Sequence, residues 1–302
     1  MIIIILGSQG FIGSHLCNYF SAKGYKVFGA DIIETPANIN YTYIKLSRLS
    51  SEWDDLLKQE KIDVCINAAG SGNVAYSVTH PLIDFEANTL DVIKILDAIR
   101  KHQPASKYLH ISSAAVYGNP ESLPIKETDT LSPISPYGYH KMMSEIICKE
   151  YQHLFGLNIS IVRPFSVFGN GLRKQLLWDI CTKLLKADEI TLFGTGNETR
   201  DFIHISDLVL LIDLIIAKSD FKADVYNAAS GSETSIKFVA SIFENCFGKN
   251  KKINFGGDIK KGDPLNWKAA VNKLSQIGFS PAANLEAEII NYSNWFKELS
   301  AK

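Results

Sequence analysis

The chain reads as an α/β protein: a Rossmann-type, doubly wound parallel sheet followed by a smaller C-terminal α+β lobe for the substrate. Three observations predict this. Residues 1–31 run strand, glycine turn, amphipathic segment, strand and acid. β-branched runs alternate with helical spacing through the first half, as in parallel strands covered on both faces. After Pro164 the pattern loosens and glycines and prolines recur.

Met1–Leu6 is the first strand, and Gly7, Gly10 and Gly13 punctuate the turn with Phe11 and Ile12. In such a turn one glycine permits a tight bend. A second lets backbone N–H groups approach a pyrophosphate, and a third lets the helix pack on the strand. The helix N-terminus then offers its positive dipole end to phosphates. Asp31 closes the second strand, where a carboxylate can accept both hydroxyls of a ribose. A 2′-phosphate there would be repelled. Ile32 and Ile33 follow, in place of the arginine that an NADP site usually offers, so the unit favours NAD.

Tyr41–Lys45 suits a third strand, Glu52–Lys61 a helix, Ile62–Asn67 a fourth strand and Pro81–His102 one long helix. Lys107–Ser112 suits a fifth strand, Pro136–Phe155 a helix and Asn158–Arg163 a sixth strand. Right-handed crossovers then put every strand C-terminus on one edge, where ligands bind. Val225–Ala228 looks like a late strand that rejoins this sheet. The expected division is a dinucleotide-binding domain over residues 1–165 and mainly a substrate lobe over 166–302.

The 302 residues are 46% hydrophobic and 21% charged, enough for a sizeable core. A net charge of −1, with no basic stripe, argues against a nucleic-acid partner. Five cysteines, with no CxxC pair, point to reduced thiols in a cytoplasmic protein. Seven histidines show no ligand spacing, so no metal site is expected. The apolar opening lacks a basic n-region and reads as a strand, not a signal peptide. Leu208–Ala217 contains Asp213 and is too short to span a bilayer, so no membrane partner is expected.

Tyr137 and Lys141 lie one helical turn apart, so both point to one face. An ammonium beside a phenol favours the phenolate and gives a general acid/base near neutral pH. The same spacing recurs at Tyr19/Lys23 and Tyr41/Lys45, but only Tyr137 opens a helix after the fifth strand. His110–Gly118 places Ser112 and Ser113 at a strand C-terminus on the ligand edge. Ser113 there either hydrogen-bonds a reacting oxygen or caps a turn.

Together these segments resemble the extended short-chain dehydrogenase/reductase superfamily, in its NAD-dependent sugar-nucleotide epimerase/dehydratase branch, with a UDP-glucose 4-epimerase-like pattern. The resemblance runs nearly end to end. It covers GxxGFIG at Gly7–Gly13, Asp31, AAG at Ala68–Gly70, Asn88, SSAAVYG at Ser112–Gly118 and YxxxK at Tyr137–Lys141. It continues through RPFSVFG at Arg163–Gly169, GTGxxxRDFIHISDL at Gly194–Leu208 and KKGDP at Lys260–Pro264.

The resemblance implies that Ser113, Tyr137 and Lys141 are catalytic, with Lys141 also holding the nicotinamide ribose. It implies NAD contacts from Gly7, Gly10, Phe11, Ile12, Gly13, Asp31, Ile32, Ala68, Ala69, Gly70, Asn88, Ile111, Pro164 and Phe165. It implies that the C-terminal lobe binds a nucleotide-diphosphate sugar through Ser113, Ser166, Arg200, Lys260 and Asp263. Arg200 would pair with the diphosphate through its forked donors; the structural alternative is a salt bridge to Asp201 or Asp207. A homodimer is also implied, because relatives often pair the helices corresponding to Pro81–His102 and Pro136–Phe155. Three positions depart from the common pattern. Lys260 or Lys261 stands where an arginine is frequent, Ser166 where asparagine is frequent, and Lys45-Leu46-Ser47 where a Gly-Asp pair is usual.

The related dehydratases carry an acid and a base immediately before Val-Tyr-Gly, and here those positions are Ala114 and Ala115. Methyl groups cannot transfer protons, so dehydration is disfavoured. The related decarboxylases have a glutamate near that point, and the combined 3,5-epimerase/4-reductases a cysteine at the position of Ala115. Two chemistries survive: C4 epimerisation through a transient 4-keto sugar, and NAD(P)H-dependent reduction of a 4-keto (6-deoxy) sugar. Asp31 favours the epimerase. A non-catalytic NAD-binding module is the third reading, and the intact Ser113, Tyr137 and Lys141 weigh against it.

Overall fold

Five consecutive apolar residues make β1 (Ile2–Leu6) a strand that can be covered on both faces, and it lies inside a seven-stranded sheet. The computed structural model describes residues 1–34, 39–47, 50–58, 60–258, 262 and 264–301. Around β1 stand β2 (Lys26–Asp31), β3 (Thr42–Lys45), β4 (Val64–Asn67), β5 (Lys107–Ile111) and β6 (Asn158–Pro164). The shorter strands are β7 (Ser166–Phe168), β8 (Glu189–Leu192), β9 (Thr199–Arg200) and β10 (Phe202–His204). The last three are β11 (Lys222–Ala228), β12 (Thr234–Ser235) and β13 (Lys252–Phe255). The large sheet has the order β11-β6-β5-β4-β1-β2-β3, and every pairing in it is parallel. The late strand does rejoin the sheet, at its β6 edge.

Side-chain alternation along β1 builds two cores. Ile3 and Ile5 face α1 (Phe11–Ala22) and, from the second half of the chain, α8 (Ile205–Lys218). Ile4 and Leu6 face α2 (Ser50–Lys58), α5 (Asp91–His102) and α6 (Pro136–Phe155). A third core joins α7 (Gln175–Lys186), α9 (Ile236–Phe247) and α11 (Leu285–Ser300) to the β8–β13 pair. The short helices are α3 (Val74–Thr79), α4 (Pro81–Phe85) and α10 (Asn272–Gln276). Among the described residues no helix is long and apolar enough to cross a membrane.

α6 spans the expected residues. Ser135 caps it by accepting the Gly138 N–H at 3.2 Å, Pro136 opens it, and Gly156 ends it at φ 70°. The segment Pro81–His102 is not one regular helix. α4 and α5 are joined by a π-turn at Glu86–Leu90. The widened turn brings Asn88 and Thr89 inward. Asn88 donates to the Ser71 carbonyl at 3.2 Å and Thr89 to the His140 carbonyl at 3.0 Å.

Candidate active site

β1 and β4 are neighbours at the point where the strand order reverses, and the loops after them open a crevice. Gly7, at φ +77°, donates to the Ala30 carbonyl at 2.8 Å, and a Cβ on it would meet the Ala69 backbone at 2.7 Å. A Cβ on Gly13 would stand 2.0 Å from the Gly7 carbonyl oxygen, so α1 starts against the turn. The result is a cradle of backbone without side chains, ending in the N-terminus of a 12-residue helix. Asp31 accepts the Gln9 N–H at 2.9 Å on one oxygen and the Ile32 N–H at 2.7 Å on the other. The latter oxygen also takes the Ile33 N–H at 3.4 Å, and the former keeps a further acceptor site. Cradle, helix end and acid fit the pyrophosphate and the ribose diol of a dinucleotide.

A cleft of about 860 Å³ runs from this cradle towards the smaller lobe. Its lining includes Gly10, Phe11, Ile12, Ala68, Ala69, Gly70, Ile111, Ser113, Tyr137 and Lys141 on the sheet side. Pro164, Phe165, Ser166 and Arg200 line it further along. Gly7, Gly13, Asp31, Ile32 and Asn88 stand around the lining rather than in it. Asn88 is fully buried and props the loop after β4 from behind. Its Oδ1 has no hydrogen-bond partner, and a Cβ on Gly70 would stand 2.5 Å from it. Lys260, Lys261 and Asp263 lie outside the described residues.

Ser113, Tyr137 and Lys141 meet where β5 ends. Ser113 Oγ accepts the Ala115 N–H at 3.1 Å, so it caps the 3₁₀ turn at Ala114–Val116. The same serine lines the cleft together with Tyr137, whose phenol its hydroxyl draws down. The turn-capping reading of this serine is thus the one seen directly. The Tyr137 N–H donates to Ser77 Oγ at 3.1 Å, and Lys141 Nζ donates to the Ile111 carbonyl at 3.0 Å.

Burial dominates the acid–base properties of both groups. It pushes the Tyr137 phenol up to about 12, while the Ser113 hydroxyl draws it down and the Asp84 carboxylate draws it up. Burial lowers Lys141 to about 8, against the opposing field of Asp84. The sequence expectation that Lys141 lowers the phenol towards neutrality is not met: the phenol is raised by burial, and the groups acting on it are Ser113 and Asp84. The other two YxxxK matches are spent elsewhere. Tyr19 and Lys23 both bind Asp213, at 2.9 and 2.6 Å. Tyr41 accepts from Gln9 at 2.6 Å, and Lys45 pairs with Glu34.

A buried network holds the end of β5 against α6. Arg163 reaches Glu145 through two bonds, Nε–Oε1 at 2.9 Å and Nη2–Oε2 at 2.6 Å. Glu145 also accepts the Ser112 hydroxyl at 2.6 Å, and Arg163 donates to Tyr117 Oη at 2.6 Å. Tyr117 in turn donates to Asn227 at 2.7 Å.

On the substrate side, Arg200 donates to the carbonyls of Thr199 at 2.8 Å and Leu265 at 3.1 Å, and lies over the Trp267 ring at 5.8 Å. Asp201 accepts from Ser230, Gly231 and Ala269, and Asp207 from Ala282 and Ala283. Trp267 escaped the sequence reading. Its Nε1 donates to the Gly118 carbonyl at 3.0 Å, and its ring meets Phe165 edge-on at 5.6 Å. A lone aromatic in an irregular segment carries no periodic signal. Asp84, Lys174 and Thr182 were also missed; the last two line the cleft from the start and middle of α7. Among the described residues no group of three or more His, Cys, Asp or Glu side chains could hold a metal ion.

A family model described as the NAD dependent epimerase/dehydratase family matches residues 3–229. A putative UDP-glucose 4-epimerase of Methanocaldococcus jannaschii is 28% identical, with 98% of each chain covered. An uncharacterised UDP-glucose epimerase of Bacillus subtilis is 30% identical over 96% of each chain. The crystal structure of a UDP-glucuronic acid 4-epimerase from Bacillus cereus, in complex with UDP-glucuronic acid and NAD, superposes with a TM-score of 0.90 at 27% identity. That match covers 99% of this chain and 100% of the other.

Proposed function

The chain belongs to the NAD-dependent epimerase/dehydratase family, and on that premise we propose that it is a 4-epimerase of UDP-sugars acting through a transient 4-keto sugar. One observation carries the reading. Ser113, Tyr137 and Lys141 converge on the cleft, and the two positions beside Ser113 are alanines. The site can move a hydroxyl proton but offers no acid and base there for expelling water.

NAD, when bound, supplies the acceptor that takes a hydride from C4 of the sugar and returns it to the other face. As the phenolate, a form that the positive charges of bound NAD and of Lys141 would favour against burial, Tyr137 Oη takes the proton of the C4 hydroxyl and then gives it back to the carbonyl oxygen. The Ser113 hydroxyl holds that oxygen in place. The Lys141 ammonium, on the same face of α6, would hold the nicotinamide ribose. The cradle of Gly7, Gly10 and Gly13, with Phe11 and Ile12, takes the pyrophosphate, and Asp31 the adenosine ribose. Ala68, Ala69 and Gly70 border the adenosine side, and Pro164 and Phe165 wall the nicotinamide. Arg200 and Ser166 hold the diphosphate of the UDP-sugar, with Lys260 and Asp263 as further ligands.

We assign this activity to the cytoplasm, a compartment that suits five free cysteines. We also pair two copies of the chain through α4 and α6. These helices leave Leu82, Ile83, Tyr139, Met143, Ile146 and Leu154 exposed.

The test uses purified protein with UDP-glucose, UDP-glucuronic acid and their N-acetylated analogues, with no nicotinamide added, followed by proton NMR of H4. Inversion at C4 supports the epimerase. Turnover only of 4-keto sugars, and only with added NADH or NADPH, replaces it with a reductase.

A further inference from the structure

Asp84 is fully buried at the end of α4, under the first turns of α6. Its Oδ2 meets His140 Nδ1 at 2.6 Å, and its Oδ1 has no hydrogen-bond partner. Thr89 fixes the His140 carbonyl, and Phe85 packs edge-on against the imidazole at 5.5 Å. A buried carboxylate with an orphan oxygen is costly. Packed apolar side chains would stabilise this junction as well as a carboxylate–imidazole pair does. The position of the pair gives it another use. His140 is bonded to Lys141 and lies one helical turn from Tyr137. Asp84 is the foremost charge acting on Lys141, and it acts on Tyr137 as well.

We propose that Asp84 and His140 are positioning residues that set the charge of the site. The Asp84 carboxylate, held under the first turns of α6 by His140, supplies the negative charge that the Lys141 ammonium faces.

The other ionisable neighbours do not duplicate this role. Glu145, on α6, is matched by the permanent cation Arg163. Cys148, also on α6, is a thiol that burial holds in its neutral form. His110, on β5, bonds Ser144 at 2.9 Å, and burial, with Lys141 beside it, keeps it uncharged. His80, between α3 and α4, bonds Thr79, and Glu86 on the π-turn is exposed. Asp84 is paired with an imidazole rather than with a permanent cation.

The inference rests on the proposed roles of Tyr137 and Lys141. Its test is a titration that needs no turnover. Protein labelled with ¹³C at the lysine Cε is titrated by NMR at one fixed NAD concentration, with the Lys141 signal assigned by its loss in Lys141→Met. Asp84→Asn is expected to lower the Lys141 midpoint by about 1 pH unit or more, as loss of an opposite charge in a buried site does. Asp84→Glu, which keeps the charge, restores a midpoint near the wild-type value. His140→Gln, which keeps the carboxylate and removes the ionisable ring, does not lower it. A folded Asp84→Asn protein with an unchanged Lys141 midpoint overturns the proposal. If that variant does not fold, the double variant Asp84→Leu/His140→Phe, which fills the junction with apolar groups, decides: a lowered midpoint supports the proposal, and an unchanged one overturns it. Failure of the parent reading is seen separately, as a Tyr137→Phe enzyme that still turns over.

Discussion

The Lys141 ammonium donates to the backbone carbonyl of Ile111 at 3.0 Å, joining the first turns of α6 to the last residue of β5. This bond sets the Tyr137–Lys141 pair against the sheet edge where the cleft opens. It also fixes the ammonium in a desolvated place, and burial lowers its pKa to about 8. The charge is then present at pH 7 and lost in mildly alkaline solution, so kcat is expected to fall through a limb near pH 8. The stability effect has a definite sign. The unfolded chain holds this proton up to about 10.5 and the folded chain only to about 8. Between those values the unfolded state binds more protons, and this group makes stability rise with pH. Lys141→Met should remove that rise, as measured by urea denaturation at pH 7.5 and 9.5. An identical slope in the variant would contradict the lowered value.

Burial pushes the Tyr137 phenol up to about 12. Removing the hydroxyl removes the proton carrier and little volume. Tyr137→Phe is expected to lose about 10²–10⁴-fold in turnover, the usual size of a general acid/base contribution. Calorimetry should find NAD and UDP-sugar affinities close to those of the wild type. Retained turnover would exclude Tyr137 as the acid/base.

Arg163 and Glu145 form a two-point ion pair in the middle of the protein, and Ser112 and Tyr117 hang from it. Removing one partner leaves a buried charge alone. Arg163→Met or Glu145→Leu should each cost about 3–5 kcal/mol of stability. The double variant should be less destabilised than the sum of the two, because no lone charge remains. Urea denaturation of the four proteins gives the coupling directly. Simple additivity would mean that the pair is not energetically linked.

The exposed apolar side chains of α4 and α6 give the dimer proposal its own check. Ile146 is 57% exposed near the middle of α6, away from the cleft lining. Ile146→Glu would place a charge in the paired face and shift the population towards monomer, read by sedimentation velocity. A wild-type chain already monomeric at micromolar concentration would refute the pairing.

How much of this was legible beforehand depends on whether the signal was local. β1, the glycine turn and α6 announce themselves through apolar runs, steric gaps and capping residues, and the structure places them at the expected bounds or close to them. The π-turn at Glu86–Leu90 could not be read that way, because its cause is tertiary: Ser71 and His140 draw Asn88 and Thr89 inward. Trp267 and Asp84 were hidden for the same reason. Each acts through a partner far away in sequence, Gly118 for one and His140 for the other. The order of Lys141 influences was also unreadable. Spacing brings Lys141 to the face of Tyr137, but only the surrounding packing makes burial the foremost influence on each of them.

Arg200 is braced before any ligand contact, by the carbonyls of Thr199 and Leu265 and by the Trp267 face. Such bracing reduces the rotamer freedom lost on gripping a diphosphate. A charge-assisted bond of this kind contributes about 1.5–3 kcal/mol. Arg200→Ala should then raise KM for the UDP-sugar about 10- to 100-fold while kcat changes little, since the contact is remote from C4. Arg200→Lys keeps the charge and loses the fork, so its KM should fall between the two. Trp267→Leu, which removes the brace and leaves the guanidinium, should raise KM in the same direction. Initial-rate kinetics on the three variants separates these cases. An unchanged KM in Arg200→Ala would move the diphosphate elsewhere in the cleft, and an unchanged KM in Trp267→Leu alone would leave the arginine as the ligand but not the ring as its support.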